Sequence, residues 1–192
     1  MTPVDVLTST KSVPTSVTVA QCRFDGTKLT YLRHGNILRL DVPRGYGEPS
    51  LIKFQNRYFL TLRNDIKGYL TVSDDGLNFP APKPWTFDDG AELGSYNTQQ
   101  HWLAHRDGLF LIYTRRGANN DHIPRHRAPL FIGQVDPAKL CVIRASEREL
   151  MPQRGAATTQ ARQRPLGRAG AGFAEQLLVQ AQQLQVDLAG LD

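Results

Sequence analysis

The chain reads as an all-β protein made of repeated antiparallel units of the propeller-blade type. Three observations carry this reading: two hairpin-like stretches of the same design about fifty residues apart, a further strand after each, and no helical periodicity before about residue 145. The first unit runs Ser50 to Phe54, then the polar pair Gln55 and Asn56, then Arg57 to Leu62, with apolar residues alternating on both arms. Lys67 to Ser73 forms a third strand and ends at Asp74, Asp75 and Gly76, a turn sequence. The second unit repeats the scheme: His101 to His105, a turn at Arg106, Asp107 and Gly108, then Leu109 to Thr114. Pro129 to Asp136, closed by Pro137, is its third strand. Units of three or four strands at intervals of roughly 40 to 55 residues are the mark of propeller blades. A β-sandwich, which needs about seven short strands, is the alternative.

Composition changes near Pro152. All six Tyr, both Trp and seven of the eight Phe precede it; Ala and Gln dominate the residues after it. The chain is therefore divided into a β-propeller-like part over 1–152, a linker over 153–173 expected to be disordered, and a short amphipathic helix over 174–190. The linker has too few apolar residues to fold. The helix rests on Leu177, Ala181, Leu184 and Leu188 at 4-3-4 spacing.

The formal charge is +5, and five basic residues (Arg148, Arg154, Arg162, Arg164 and Arg168) lie after position 147, so the excess is partly a property of the tail. No aromatic residue is interleaved with the arginines of the central loop and no groove-reading module is recognisable, so nucleic acid is not an expected partner. No apolar run approaches a membrane span, and residues 1–20 lack the basic start and apolar centre of a secretory signal. A cytoplasmic location is the default expectation. Cys22 and Cys141 are isolated and read as two core thiols. The HxxxH spacings at His101/His105 and His122/His126 fall in strand or loop text, where i,i+4 does not bring two imidazoles together, so neither a metal nor another cofactor is expected.

The most specific short motif is Ser73-Asp74-Asp75-Gly76-Leu77-Asn78-Phe79. Its Ser and Asp side chains suit hydrogen bonding to a turn backbone, and Phe79 suits a sheet interface, so its role is structural. The motif resembles the Asp-box of sialidase-like propellers in a shortened Ser-x-Asp-Gly form. Gly47-Glu48-Pro49-Ser50, the run Tyr58 to Asp65 and the run Arg125 to Phe131 extend the similarity over about Val42 to Arg154. Together they resemble the bladed glycosidase superfamily that includes sialidases (neuraminidases).

That resemblance implies an exo-glycosidase acting on or binding terminal, often anionic, sugars. Cleavage needs an acid/base carboxylate, and sialidases use a Tyr as nucleophile. Glu48 and Asp65, at the outer ends of the first hairpin, are the catalytic candidates. A sugar carboxylate is clamped by arginine forks, which nominates Arg63, Arg115, Arg125 and Arg127 for substrate binding. Tyr96, Asn97, Gln99 and Gln100 precede a strand and are candidates to touch a sugar ring, with packing or turn roles the expectation.

Sialidase-like enzymes form a six-bladed ring, which at about 50 residues per blade needs roughly 300 residues. The β-rich text here spans about 150, enough for at most three blades. The family's nucleophile pair lies in later blades, so hydrolysis by this chain alone is not expected. The change of text at Gly155 suggests a truncated or frame-shifted derivative of a longer glycosidase-like protein. Open blade edges favour self-association. Two other readings remain open: a non-catalytic propeller-like module that binds a glycan or protein, and a five-bladed arabinanase-type inverting enzyme working through carboxylates.

Overall fold

The computed structural model describes residues 14–152, so the linker and helix expected over 153–173 and 174–190 lie outside the described residues. Among these residues eleven strands run in the order β1 (Ala20–Phe24), β2 (Leu29–His34), β3 (Gly47–Phe54), β4 (Arg57–Arg63), β5 (Gly68–Ser73), β6 (Lys83–Pro84), β7 (His101–His105), β8 (Gly108–Tyr113), β9 (Leu130–Asp136), β10 (Cys141–Val142) and β11 (Arg148–Met151). Among the described residues the helical pieces are single 3-10 turns at Pro124–His126 and Arg144–Ser146. The all-β class is therefore correct.

All pairing between these strands is antiparallel, and no sheet closes on itself. β3, β4, β5 and β6 form a four-stranded meander. β7, β8 and β9 form a second one, whose outer edge is covered first by β10 and then by β11. β1 and β2 make a separate hairpin with every residue exposed. This hairpin was not anticipated, because its residues do not alternate cleanly.

The two predicted hairpins form in the expected places, and their turns show why. Phe54 pairs with Arg57, leaving Gln55 (φ 48°) and Asn56 (φ 63°) as a two-residue turn with both residues in the left-handed region. That backbone matches the right-handed twist of the flanking strands. In the second unit His105 pairs with Gly108, so the turn is Arg106-Asp107 and the glycine opens β8.

The two meanders share one core. β8 alternates strictly, sending Leu109, Leu111 and Tyr113 inward, and β9 adds Phe131 and Val135 from the same face. Trp102 of β7 adds to it, and Phe59, Leu70, Val72, Trp85 and Phe87 complete this core from the other sheet and the connection between the sheets. The opposite face of the first meander is covered by Val17, Leu38 and Tyr46, which pack on Leu60, Leu62 and Phe79. β4 is thus buried on both faces. β3 and β7, the first strands of the two sheets, lie against each other, and Trp102 Nε1 donates to the Ser50 carbonyl at 3.0 Å.

The Ser73-to-Phe79 motif is a turn lock. Ser73 Oγ donates to Asp75 Oδ1 at 2.7 Å and accepts the Gly76 N–H at 3.0 Å, while Asp75 accepts the N–H groups of Leu77 and Asn78, each at 2.8 Å. Gly76 supplies the positive φ of 73°. Phe79 is buried, and Asn36 brackets its backbone from both sides. The two cysteines differ from expectation in one respect. Cys141 is buried, and burial pushes its thiol up, but Cys22 is exposed on β1. Both are free thiols.

Thr61, on β4, carries a test of this arrangement. It is fully buried, donates to Gln100 Oε1 at 2.6 Å and accepts the Trp85 indole N–H at 3.0 Å. Thr61→Val keeps the volume and removes the hydroxyl, leaving two buried polar partners unmatched. A loss of about 2 kcal/mol in urea unfolding is expected. A change near zero would show that the hydroxyl does not hold the connection in place.

Candidate functional site

One end of the two meanders gathers the β4–β5 turn (64–67), the β6–β7 connection (85–100) and the β8–β9 connection (114–129). The Ser73-to-Phe79 turn lies at the other end of β5. Backbone bonds stitch the three segments together: Asn97 N–H to the Asn64 carbonyl at 2.9 Å, Gly68 N–H to Ser95 at 2.7 Å and Arg116 N–H to Gly94 at 3.0 Å. Asn64 Oδ1 accepts the N–H groups of Ile66 and Lys67, closing the turn locally. Gly68 is required here, because a Cβ would collide with the side chains of Ser95 and Gln100.

Arg63 ends β4 at this end, on the face that Phe59 and Thr61 share, with its side chain only 9% exposed. Its Nε donates to Glu48 Oε2 at 3.0 Å, its Nη2 to Glu48 Oε1, and its Nη1 to Asp65 Oδ1 at 3.1 Å. Asp65 also meets Arg44, 3.4 Å away. Glu48 reaches Arg63 because the β3–β4 register shifts between Gly47 and Ser50. Such a bulge re-aims a side chain, and Pro49, which has no N–H to give the ladder, fits inside it. Two of the catalytic candidates and one of the binding candidates are therefore brought together.

The electrostatics of this cluster limit its chemistry. Hydrogen bonds from Arg63 hold the Glu48 carboxyl below its usual range against the opposing effect of burial, with the charges of Arg127 and Arg44 assisting. Glu48 is therefore an anion at neutral pH. It can position a cation or accept a proton, but it is a poor proton donor. Burial lowers His101 while Glu48 pulls it upward, which places that ring beside the same cluster.

The remaining arginines separate by role. Arg127 is exposed and close enough to Glu48 to influence it. Arg125 is exposed in the left-handed region (φ 60°) and makes no ion pair among the described residues. Arg115 is committed to holding the structure: it grips Glu147 with Nε at 2.8 Å and Nη2 at 2.6 Å, while Tyr113 donates to the same carboxylate at 2.6 Å. It also lies over Phe131, 4.9 Å from the ring centre. Burial draws Glu147 upward, but these hydrogen bonds leave it below its usual range. A cleft of about 340 Å³ beside Phe87 is lined by Arg115, Arg116 and Arg144. Arg144 is itself paired with Asp89 at 2.6 Å and stacked on Phe87 at 3.8 Å.

Three residues beyond the candidates form a chain of their own. The Tyr96 hydroxyl is hydrogen-bonded to His126 Nδ1, and His126 Nε2 lies 3.1 Å from Asp121 Oδ1. Arg116 stacks on the Tyr96 ring at 4.3 Å and donates to the Ile66 carbonyl. Tyr96 and His126 are 30 residues apart, so no local spacing signals the pair. Arg44 was likewise missed, because nothing in its neighbourhood points to Asp65. Among the described residues no group of three His, Cys, Asp or Glu side chains is placed to hold a metal ion.

No protein family, curated protein or solved structure matches this chain.

The Glu48–Arg63 pair carries a pH signature. Its folded carboxyl is lowered relative to the unfolded chain, so its contribution is complete above the ordinary carboxylate value near about 4 and is lost as pH falls toward the lower folded value. With Glu48 41% exposed, that contribution is about 1 kcal/mol. Glu48→Gln should be less stable than the parent at neutral pH, and the gap should close on acidification. Urea midpoints measured across that range would check it, and a gap independent of pH would contradict it.

Proposed function

We propose that this end of the protein recognises a terminal anionic sugar, as part of a sialidase-like β-propeller exo-glycosidase. The observation that carries the reading is the arginine cluster: Arg63 locked between Glu48 and Asp65, with Arg127 beside it and Arg125 near it in the chain. A four-stranded and a five-stranded antiparallel sheet, consecutive in the chain and with their first strands in contact, are the arrangement that neighbouring blades would adopt around an axis. The Asp-box-like lock at the opposite end of β5 also fits that architecture. Loops at one end of a rigid sheet scaffold are where such folds carry binding.

In this reading Arg63 positions the carboxylates, and the more open Arg125 and Arg127 meet the sugar's own carboxylate. Asp65 and Glu48 are the acid/base candidates. A second reading, a non-catalytic module that binds a glycan or protein, is favoured by one feature: both carboxylates are already engaged by arginines. The uncovered strand edges support self-association in either case.

Calorimetric titration with sialic acid and with neutral galactose tests the binding site. Sialic acid should bind more tightly, and Arg127→Ala should weaken it by about tenfold, the loss of one charge-assisted contact. The urea midpoint should not move, since Arg127 is exposed. Equal affinity for both sugars would refute the anionic-sugar reading. Turnover of a fluorogenic sialoside that disappears in Asp65→Asn would favour the hydrolase; none at high protein concentration would favour the binding module.

A further inference from the structure

We propose that Tyr96, backed by His126 and Asp121, is the proton-transfer group of this end of the protein, and that it acts by β-elimination on a hexuronate residue of an acidic glycan. The proposal rests on reading this end as an anionic-sugar site; it names a different anionic sugar and sets elimination in place of hydrolysis.

A phenol bonded to an imidazole nitrogen, whose other nitrogen faces a carboxylate, is a complete path for moving a proton off the phenol. The imidazole takes the phenolic proton at Nδ1, and Asp121 supports the imidazolium from the Nε2 side. The guanidinium of Arg116 covers one face of the Tyr96 ring at 4.3 Å and fixes the orientation of the phenol.

Backbone strain gathers around the same groups. Six of the nine non-glycine residues with positive φ among the described residues lie at this end: Arg44, Glu48, Asn97, Asn119, Arg125 and His126. Asn97 is the next residue after Tyr96, and His126 is itself one of the six. Left-handed conformations of ordinary residues persist where the surrounding structure imposes them, and they cluster at working sites.

The carboxylates nearby are poorly suited to the same task. Hydrolysis with two carboxylates needs one of them as a proton donor. Glu48 is held as an anion by Arg63, and Asp65 is bridged between Arg63 and Arg44. The Tyr96 hydroxyl is hydrogen-bonded to a group able to take its proton, His126 Nδ1.

These groups match the needs of elimination. The hydrogen on C5 of a hexuronate becomes removable once a cation neutralises the adjoining carboxylate, and Arg125 and Arg127 flank His126 in the chain. Tyr96 first passes its proton to His126. The phenolate then takes the C5 hydrogen, the released electron pair forms the C4–C5 double bond, and the C4–O bond breaks. The departing oxygen takes the proton from Tyr96, and His126 returns its proton to the phenolate. No external oxidant, reductant or water is consumed. Sialic acid is excluded as a substrate for this step, because the carbon bearing its carboxylate carries no hydrogen.

The test uses the full chain with oligogalacturonate and oligoglucuronate, monitoring the ultraviolet absorbance of the conjugated unsaturated uronate and, separately, binding by calorimetry. Unsaturated ends should form with one of them. Tyr96→Phe should cut the rate at least about 100-fold while affinity and the urea midpoint hold. His126→Ala should fall similarly and recover with added imidazole, which a merely structural role would not allow. Binding without unsaturated product, products that are only hydrolytic, or a rate unchanged in Tyr96→Phe would overturn the inference and leave the binding site standing. Absence of binding to both oligouronates and to sialic acid would remove the site reading as well.

Discussion

β4 is buried on both faces, and its polar side chains must therefore find partners inside the protein. Leu60 and Leu62 meet the N-terminal segment on one side, and Phe59 meets the second sheet on the other. Thr61 and Arg63 share the Phe59 face. An unmatched hydroxyl or guanidinium there would cost more than the strand gains from burial. Thr61 is satisfied by Trp85 and Gln100, the two ends of the β6–β7 connection, which draws that connection between the sheets. Arg63 is satisfied by Glu48 and Asp65, which builds the charged cluster. Core and candidate site are thus consequences of one strand's burial.

The same logic explains why this end is made of strained but well-tied loops. A left-handed non-glycine residue costs about 1–3 kcal/mol, so it needs fixed surroundings. Asn120 supplies some of them, donating to the carbonyls of Arg115 and Ala128 across the β8–β9 connection. Asn64 does the same for the β4–β5 turn. The Arg115–Glu147 grip anchors the connection where it leaves β8. Charge at this end is divided between groups that hold the scaffold, Arg63 and Arg115, and groups left open to solvent, Arg125 and Arg127.

The two hairpins, the third strand of each unit and the Ser73-to-Phe79 turn were legible in the sequence because each depends on neighbours a few positions apart. The bulge that turns Glu48 toward Arg63 was not, since alternation predicts a regular ladder there. The Glu147 partner of Arg115 was not legible either, because it lies 32 positions away. The short β10 and β11, and the Tyr96–His126 contact, have no periodic signal. Cys22 was misplaced because an isolated cysteine says nothing about which face of a strand it occupies.

Local text was sufficient to establish an all-β chain, its turn chemistry and a crowd of charged residues at strand ends. These come from period-two alternation and from the φ preferences of Gly, Asn and Asp, which act within a few residues. Which charges meet, and which stay open, was decided by the assembled sheets. Strand register, one bulge and three interlocked connections bring Glu48 to Arg63, Glu147 to Arg115 and His126 to Tyr96. Those distances are set by packing across 15 to 32 residues of intervening chain, which no local preference encodes.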